Sequence, residues 1–288
     1  MHLTCSAGAT SILETRLRGA CLLTSCVLLA ATLAAGNGGE EADTEQPSGP
    51  GDEARCAVDL FLWAYNRPEM DTADMNAFTS RVARRCGWLA LMRDFRIVKP
   101  FVKCLADTTP LPDDARQNML HTLGVLGDMT AAEVVLKYAV DTTKTPLVRY
   151  EAAVAICFLG NAETGTQVLK SLALADALPP GYTFTPCQFL SSEGKPKKLK
   201  SAADEKALTL YIRWLAERTT NANVVDYSVS YLLQKDDDSR NFAFQVAERA
   251  LQSPDVYLPG RNDRRSLLSR LAGFGGERGK ALAAQYEK

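Results

Sequence analysis

Two apolar stripes in the middle of the chain keep the same step. Ala115, Met119, Leu123 and Leu126 follow one another at intervals of four, four and three, and Val148, Ala152, Ile156 and Leu159 repeat those intervals 33 residues later. Such spacing keeps one face of a 3.6-residue-per-turn helix apolar. Leu126-Gly127-Asp128 is answered at the same offset by Leu159-Gly160-Asn161, Arg116 by Arg149, Val135 by Val168 and Lys137 by Lys170. A fixed offset with matched residue types is the mark of stacked repeats. Each unit reads as a helical hairpin. Asp113 or Asp114 is expected to cap the first helix and Gly127 to close it, with Thr130 capping the partner helix. In the second unit Thr145 takes the cap, Pro146 the first helical position, and Gly160 the close.

Outside this pair the pattern loosens. Helices are predicted over 53–65, from Asp71 or Thr72 to Arg93, and over 97–106. Residues 177–200 break the periodicity with Pro179-Pro180-Gly181, the aromatics Tyr182 and Phe184, Cys187, and then Lys195, Lys197, Lys198 and Lys200. A loop of that length is either functional or unstructured. Aromatics followed by a basic run could grip an anionic or peptide partner, and a solvated insertion is the plainer alternative. Periodicity returns with Leu208, Tyr211, Ile212 and Leu215. Helices follow over 224–233, from the cap Asp236-Asp237-Asp238-Ser239 to Leu251, around Leu267 to Phe274, and over 280–286. No strand pattern is found, so the fold class is all-α.

Charge and composition divide the chain. Formal net charge is -1, but residues 1–35 carry +1 and residues 36–53 hold six acids and no base, which leaves residues 54–288 at +4. That surplus is too small to argue for nucleic acid. Residues 37–53 contain no large apolar side chain and read as a flexible acidic linker. Ahead of them Arg16 and Arg18 precede an apolar run from Gly19 to Ala35, the layout of a signal peptide over 1–36. The same run also fits a membrane anchor through residues 19–35, and Leu23-Thr24-Ser25-Cys26 fits a lipoprotein signal with Cys26 lipidated. The expected location is therefore exported, periplasmic or envelope-associated, with membrane contact only through this segment if it is uncleaved or lipidated.

The residues around the second stripe carry a resemblance. Asp141, Val148-Arg149, Ala152-Ala153, Ala155 and Leu159-Gly160-Asn161 resemble the short bacterial HEAT repeat, a family that includes phycobilisome (bilin) lyases. The likeness runs over about residues 78–176. It implies a right-handed α-solenoid of antiparallel helix pairs over 54–176, continued less regularly by 201–288 after the 177–200 loop. It also implies a ladder of Asp and Arg between neighbouring hairpins. Arg116 and Arg149 match its Arg position, and Asp107 and Asp141 are the matching acids.

Candidate chemistry is sparse. His121 is the only histidine beyond the export signal, which removes a two-histidine zinc site. There is no Gly-rich phosphate loop and no Cys-x-x-Cys pair, and no cofactor is implied. Cys86 and Cys104 lie at equal distances from Phe95, the predicted turn of a hairpin, and could form a disulfide or be two core residues. Cys157 reads as core. The expectation is a non-catalytic protein-binding or scaffolding module of the bacterial envelope whose partner is another protein. The alternatives are an enzyme or enzyme subunit related to the pigment lyases, with Cys187 or His121 taking part, and a membrane-tethered structural component.

Overall fold

The computed structural model describes residues 94–107, 111–179, 184 and 186–287, with Val58, Asp59 and Leu62. All of them lie in the compact unit 49–288. The export signal, the acidic linker, most of the helices read between 53 and 93, Cys86 and Tyr182 lie outside the described residues.

The described residues are all-helical, with a single isolated bridge between Leu190 and Pro196. In chain order the helices are α1 (Val98–Ala106), α2 (Asp113–Leu126), α3 (Ala132–Val140), α4 (Pro146–Phe158), α5 (Ala162–Leu174), α6 (Ala202–Arg218), α7 (Ala222–Leu232), α8 (Asp237–Gln252), α9 (Pro254–Tyr257), α10 (Arg261–Phe274) and α11 (Gly276–Tyr286). Both apolar stripes are buried as their spacing requires.

The helix ends follow local chemistry, with some shifts from expectation. Pro112 takes the cap position of α2, and Asp113 and Asp114 fill its first turn, where their charge meets the positive end of the helix. Gly127 closes α2 in the left-handed region at φ 67°. Thr130 does not cap α3. The Asp128 carboxylate accepts from the Thr130 N–H and opens a 3-10 turn over Met129–Ala131, so α3 starts afterwards. Thr145 precedes α4, but its hydroxyl donates to Asp113 Oδ2 at 2.7 Å instead of capping. Pro146 behind it is in place at the helix start.

Named bonds fix how neighbours run. The Asp113–Thr145 bond joins the starts of α2 and α4, so these two helices are parallel. Their backbones approach closely where Gly124 meets Ala155: a Cβ on Gly124 would stand 2.7 Å from the Ala155 Cα. Tyr138 donates to the Leu105 carbonyl at 3.0 Å, which sets the C-terminal ends of α1 and α3 side by side. Asp204, in the first turn of α6, accepts from the Ala162 N–H at the start of α5 at 2.8 Å. Leu174 and Trp214, near their other ends, line one groove. Consecutive helices α5 and α6 therefore run the same way, and the 27 residues between them cross back over the fold. Short turns on either side of α7 reverse the chain twice, and Arg249 Nη2 of α8 reaches the Ala216 carbonyl of α6 at 2.7 Å. Further along, Ser266 of α10 donates to Asp226 of α7, and Arg278 of α11 to Asn241 of α8.

That crossing is not a solvated insertion. Its described part, residues 186–200, is a packed strap. Phe189, Leu190 and Leu199 are buried, and the Phe189 ring lies 5.4 Å from that of Phe158 on α4. Gln188 Nε2 donates to the Tyr150 hydroxyl of α4 at 2.7 Å, and Gln234 Nε2, just after α7, donates to the Gly194 carbonyl at 2.8 Å. Lys200 Nζ donates to the Gly127 carbonyl at the end of α2 at 2.7 Å. The strap thus fills the space between α4 and α7.

Candidate functional site

The residues singled out for partner binding are distributed rather than gathered. Phe184 packs edge-on against Tyr150, with ring centres 5.7 Å apart. Lys195 is paired with Glu193 on the strap's own turn at 2.9 Å. Lys197 is half-buried, with its ammonium 5.6 Å from the centre of the Phe158 ring, and burial pulls its pKa down. Lys198 and Lys200 stand at the strap's exit. The basic run therefore does not act as one patch.

Two grooves flank α6. The first, about 720 Å³, lies at its N-terminal half and is lined by Lys198, Lys200, Lys206, Leu210, Arg213 and Lys235 among others. The second, about 480 Å³, lies at its C-terminal end and is lined by Leu174, Leu178, Phe184, Trp214 and Arg218 with the following turn.

Between them the outward side of α6 carries aromatic rings held by cations. Trp214 stacks on Tyr211 at 6.2 Å, and Arg218 and Lys170 lie 5.0 and 5.9 Å from its ring centre. The Arg213 guanidinium sits 4.8 Å from the Phe242 ring of α8 and also bonds Asp238. Leu210 is 52% exposed and Leu174 74%. Aromatic and arginine side chains in partly buried settings dominate the energetics of protein interfaces.

The expected Asp–Arg ladder takes another form. Arg116 pairs with Asp113 on its own helix at 2.8 Å rather than with Asp107, which lies exposed at the end of α1. Asp113 is one helical turn away on the same side and also accepts from Thr145, so it carries the link to the next unit. Asp141 is taken up locally by Thr143, whose N–H and hydroxyl donate to it at 2.9 and 2.7 Å. Arg149 Nε donates to the Ala139 carbonyl in the last turn of α3 at 3.3 Å. Arg240 does the same after α7, donating to the Leu233 carbonyl at 3.3 Å.

That last parallel exposes a signal the sequence reading missed. Asp113-Asp114-Ala115-Arg116 recurs as Asp237-Asp238-Ser239-Arg240, with the same intrahelical pair, Arg240 to Asp237 at 2.6 Å. Met119, Leu120 and Leu123 are matched by buried Ala243, Phe244 and Ala247. The repeat therefore has an echo well beyond residue 176.

The remaining candidates are set apart from both grooves or from one another. The Cys104 thiol is half-buried, and burial pushes its pKa up to about 11. The pairing read for it with Cys86 lies outside the described residues. Cys157 is core, its thiol donating to the Ala153 carbonyl at 3.2 Å, and burial pushes its pKa up strongly. His121 Nδ1 lies 3.4 Å from Glu151 Oε2 across the α2–α4 contact. Among the described residues no group of three His, Cys, Asp or Glu side chains is placed to hold a metal ion. No helix of the described residues is long and apolar enough to cross a membrane.

Comparison with known proteins matches the chain to no protein-family model and to no curated sequence.

Proposed function

We infer that this chain is a non-catalytic helical-repeat protein that holds another protein along the outward side of α5, α6 and α8. In this reading the described helices stack as antiparallel pairs, α4 with α5, α7 with α8 and α10 with α11, with α3 packed against α4 rather than α2, in a right-handed HEAT-like solenoid. The strap stands in for the first helix of the pair that α6 completes. Parallel bonding of α2 to α4, α1 to α3 and α5 to α6 supports that stack. So does the recurrence of the Asp–Arg pair in α8. Residues 1–36 direct export in this reading, and the folded part works in the bacterial envelope.

The observation that carries the binding role is the partly exposed row of Trp214, Arg213 and Phe242, which runs from the wall of one groove to the wall of the other. Solenoids use such extended surfaces to hold partners. The test is site-specific photocrosslinking in envelope extract. A photoreactive residue at Leu210 is expected to give one discrete protein adduct, while the same residue at exposed Val125 on α2 gives none. Adducts only from Val125, or none from Leu210, would overturn the assignment of this surface.

A further inference from the structure

Resting on that reading, we propose that the groove at the N-terminal half of α6 takes an acidic peptide segment of the partner, one that alternates carboxylates with aliphatic side chains. Charge and its compensation lead to this chemistry. Three carboxylates line the groove and all three are engaged within the fold. Glu205 accepts from Lys235 at 2.7 Å and from the Leu199 N–H at 3.3 Å. Asp236 caps α8 through the Ser239 N–H at 2.8 Å, and Asp238 bonds Arg213. The cations are not equally matched. Among the described residues no carboxylate pairs with Lys198, Lys200 or Lys206. The groove's five cations outnumber its three carboxylates, and these three lysines are held in no ion pair among the described residues, feeling Glu205 and Asp128 only at longer range.

One of them is held in place. Lys200 spends one donor on the Gly127 carbonyl, which fixes its direction before a ligand arrives and lowers the ordering cost of binding. Its remaining N–H donors are open to an anion. Leu210 lies in the same groove, half-exposed and without a polar role, so a ligand that is only anionic would leave it uncovered. An alternating acidic and aliphatic peptide satisfies both. The aromatic rings of this surface lie outside the groove, on Trp214 and Phe242. Stacking platforms, which nucleic-acid strands use, are thus missing from its lining.

The experiment is fluorescence anisotropy on the folded full chain with a fluorescein-labelled peptide of repeated Glu-Glu-Leu triplets. A Lys-Lys-Leu peptide and a single-stranded oligonucleotide of equal charge serve as comparators. The acidic peptide is expected to bind, and raising the salt from about 50 to about 300 mM is expected to weaken it several-fold. The double change Lys198→Glu with Lys206→Glu is expected to weaken it about tenfold, because each reversal acts on a rim charge worth up to roughly 1 kcal/mol. Leu210→Asp is expected to weaken it as well, with an unchanged thermal transition certifying each variant. No binding by the acidic peptide, binding indifferent to both lysine reversals, or equal binding by the oligonucleotide would overturn the proposal. Crosslinking from Leu210 that persists in the lysine variant would leave the binding surface standing and reject only its acidic ligand.

Discussion

Asp226 shows how one buried side chain sets a pH response. It is 7% exposed, with one oxygen facing Ser266 at 3.1 Å and Arg270 at 3.5 Å and the other unbonded. Burial pushes its pKa up against the opposing pull of Arg270 and the Ser266 hydroxyl. The folded chain therefore binds its proton more tightly than the unfolded chain, whose carboxyl titrates near 3.8. Stability contributed at this site is fully present below 3.8, falls as pH rises from there through the folded value, and stays lower above it. Asp226→Asn, which keeps the shape without the charge, is expected to gain on the wild type as pH rises across that window. Thermal unfolding between pH 3.5 and 7 reads the difference, and parallel curves for the two proteins would reject the account. Close packing gives a second residue-level prediction. A Cβ on Gly165 would stand 2.6 Å from both the Ala153 carbonyl oxygen and the Cys157 sulfur, so Gly165→Ala is expected to cost about 1–3 kcal/mol by overpacking. Gly273 has open space around it, and Gly273→Ala is expected to stabilise by about 0.5–1 kcal/mol. Denaturant titration of both variants tests the contrast. Neither site was legible in the sequence. Gly165 looks like any helical glycine until Cys157 is seen beside it, and Asp226 looks like an ordinary polar position in a helix.

At the scale of elements, the strap is the informative case. Its composition marked it correctly as a break in helical periodicity, but nothing in the spacing of Phe189, Leu190 and Leu199 announced that all three are buried. Phe189 meets Phe158, and its strap neighbours Gln188 and Gly194 bond Tyr150 and Gln234, residues from either side of the strap in the chain. A single sequence shows no such pairings. Phe189→Ala is expected to cost about 3–5 kcal/mol, the usual penalty for removing a buried ring. It should also expose residues 186–200 to limited proteolysis while the helices stay intact by circular dichroism. Resistance of the strap equal to that of the wild type would show that Phe189 does not hold it down. The helices around the two matched stripes, by contrast, were readable in place and in buried face, because their stripes, glycine closes and Pro146 start all agree, while the caps expected at Asp113 or Asp114, Thr130 and Thr145 were not. The aromatic row on α6 and α8 was only partly readable. Trp214 stood beside the α6 stripe in the sequence, while Arg213 and Phe242 meet only once α6 and α8 lie side by side.

At the scale of the whole molecule, the proposed stack is held together by bonds between pairs as much as within them. Asp204 is nearly buried and joins the starts of α5 and α6 through the Ala162 N–H and the Ser201 hydroxyl. Asp204→Ala leaves that buried N–H unpartnered and is expected to cost about 1–3 kcal/mol. In a repeat array such a break weakens one junction more than the units on either side. Hydrogen exchange is therefore expected to rise first along α5 and α6, and a uniform rise along all helices would count against a stack of separable units. The 33-residue offset made the helices and their buried faces legible up to residue 176. Past that point the Asp-Asp-x-Arg echo at 237–240 was available, but the strap displaces it from any regular interval, so a search at one period passes over it.

The parallel run of α5 and α6 has a mechanical consequence. At that level α5 and α6 are joined helix against helix, while α4 and α7 are bridged by a strap that makes one short antiparallel contact with itself. Resistance to bending is then unequal across the thickness of the protein. Bending at that level is expected to take place on the strap's side, with α5 and α6 moving together. The surface proposed to grip a partner thus lies along the stiffer edge of that level and would hold its shape if the strap's side gave.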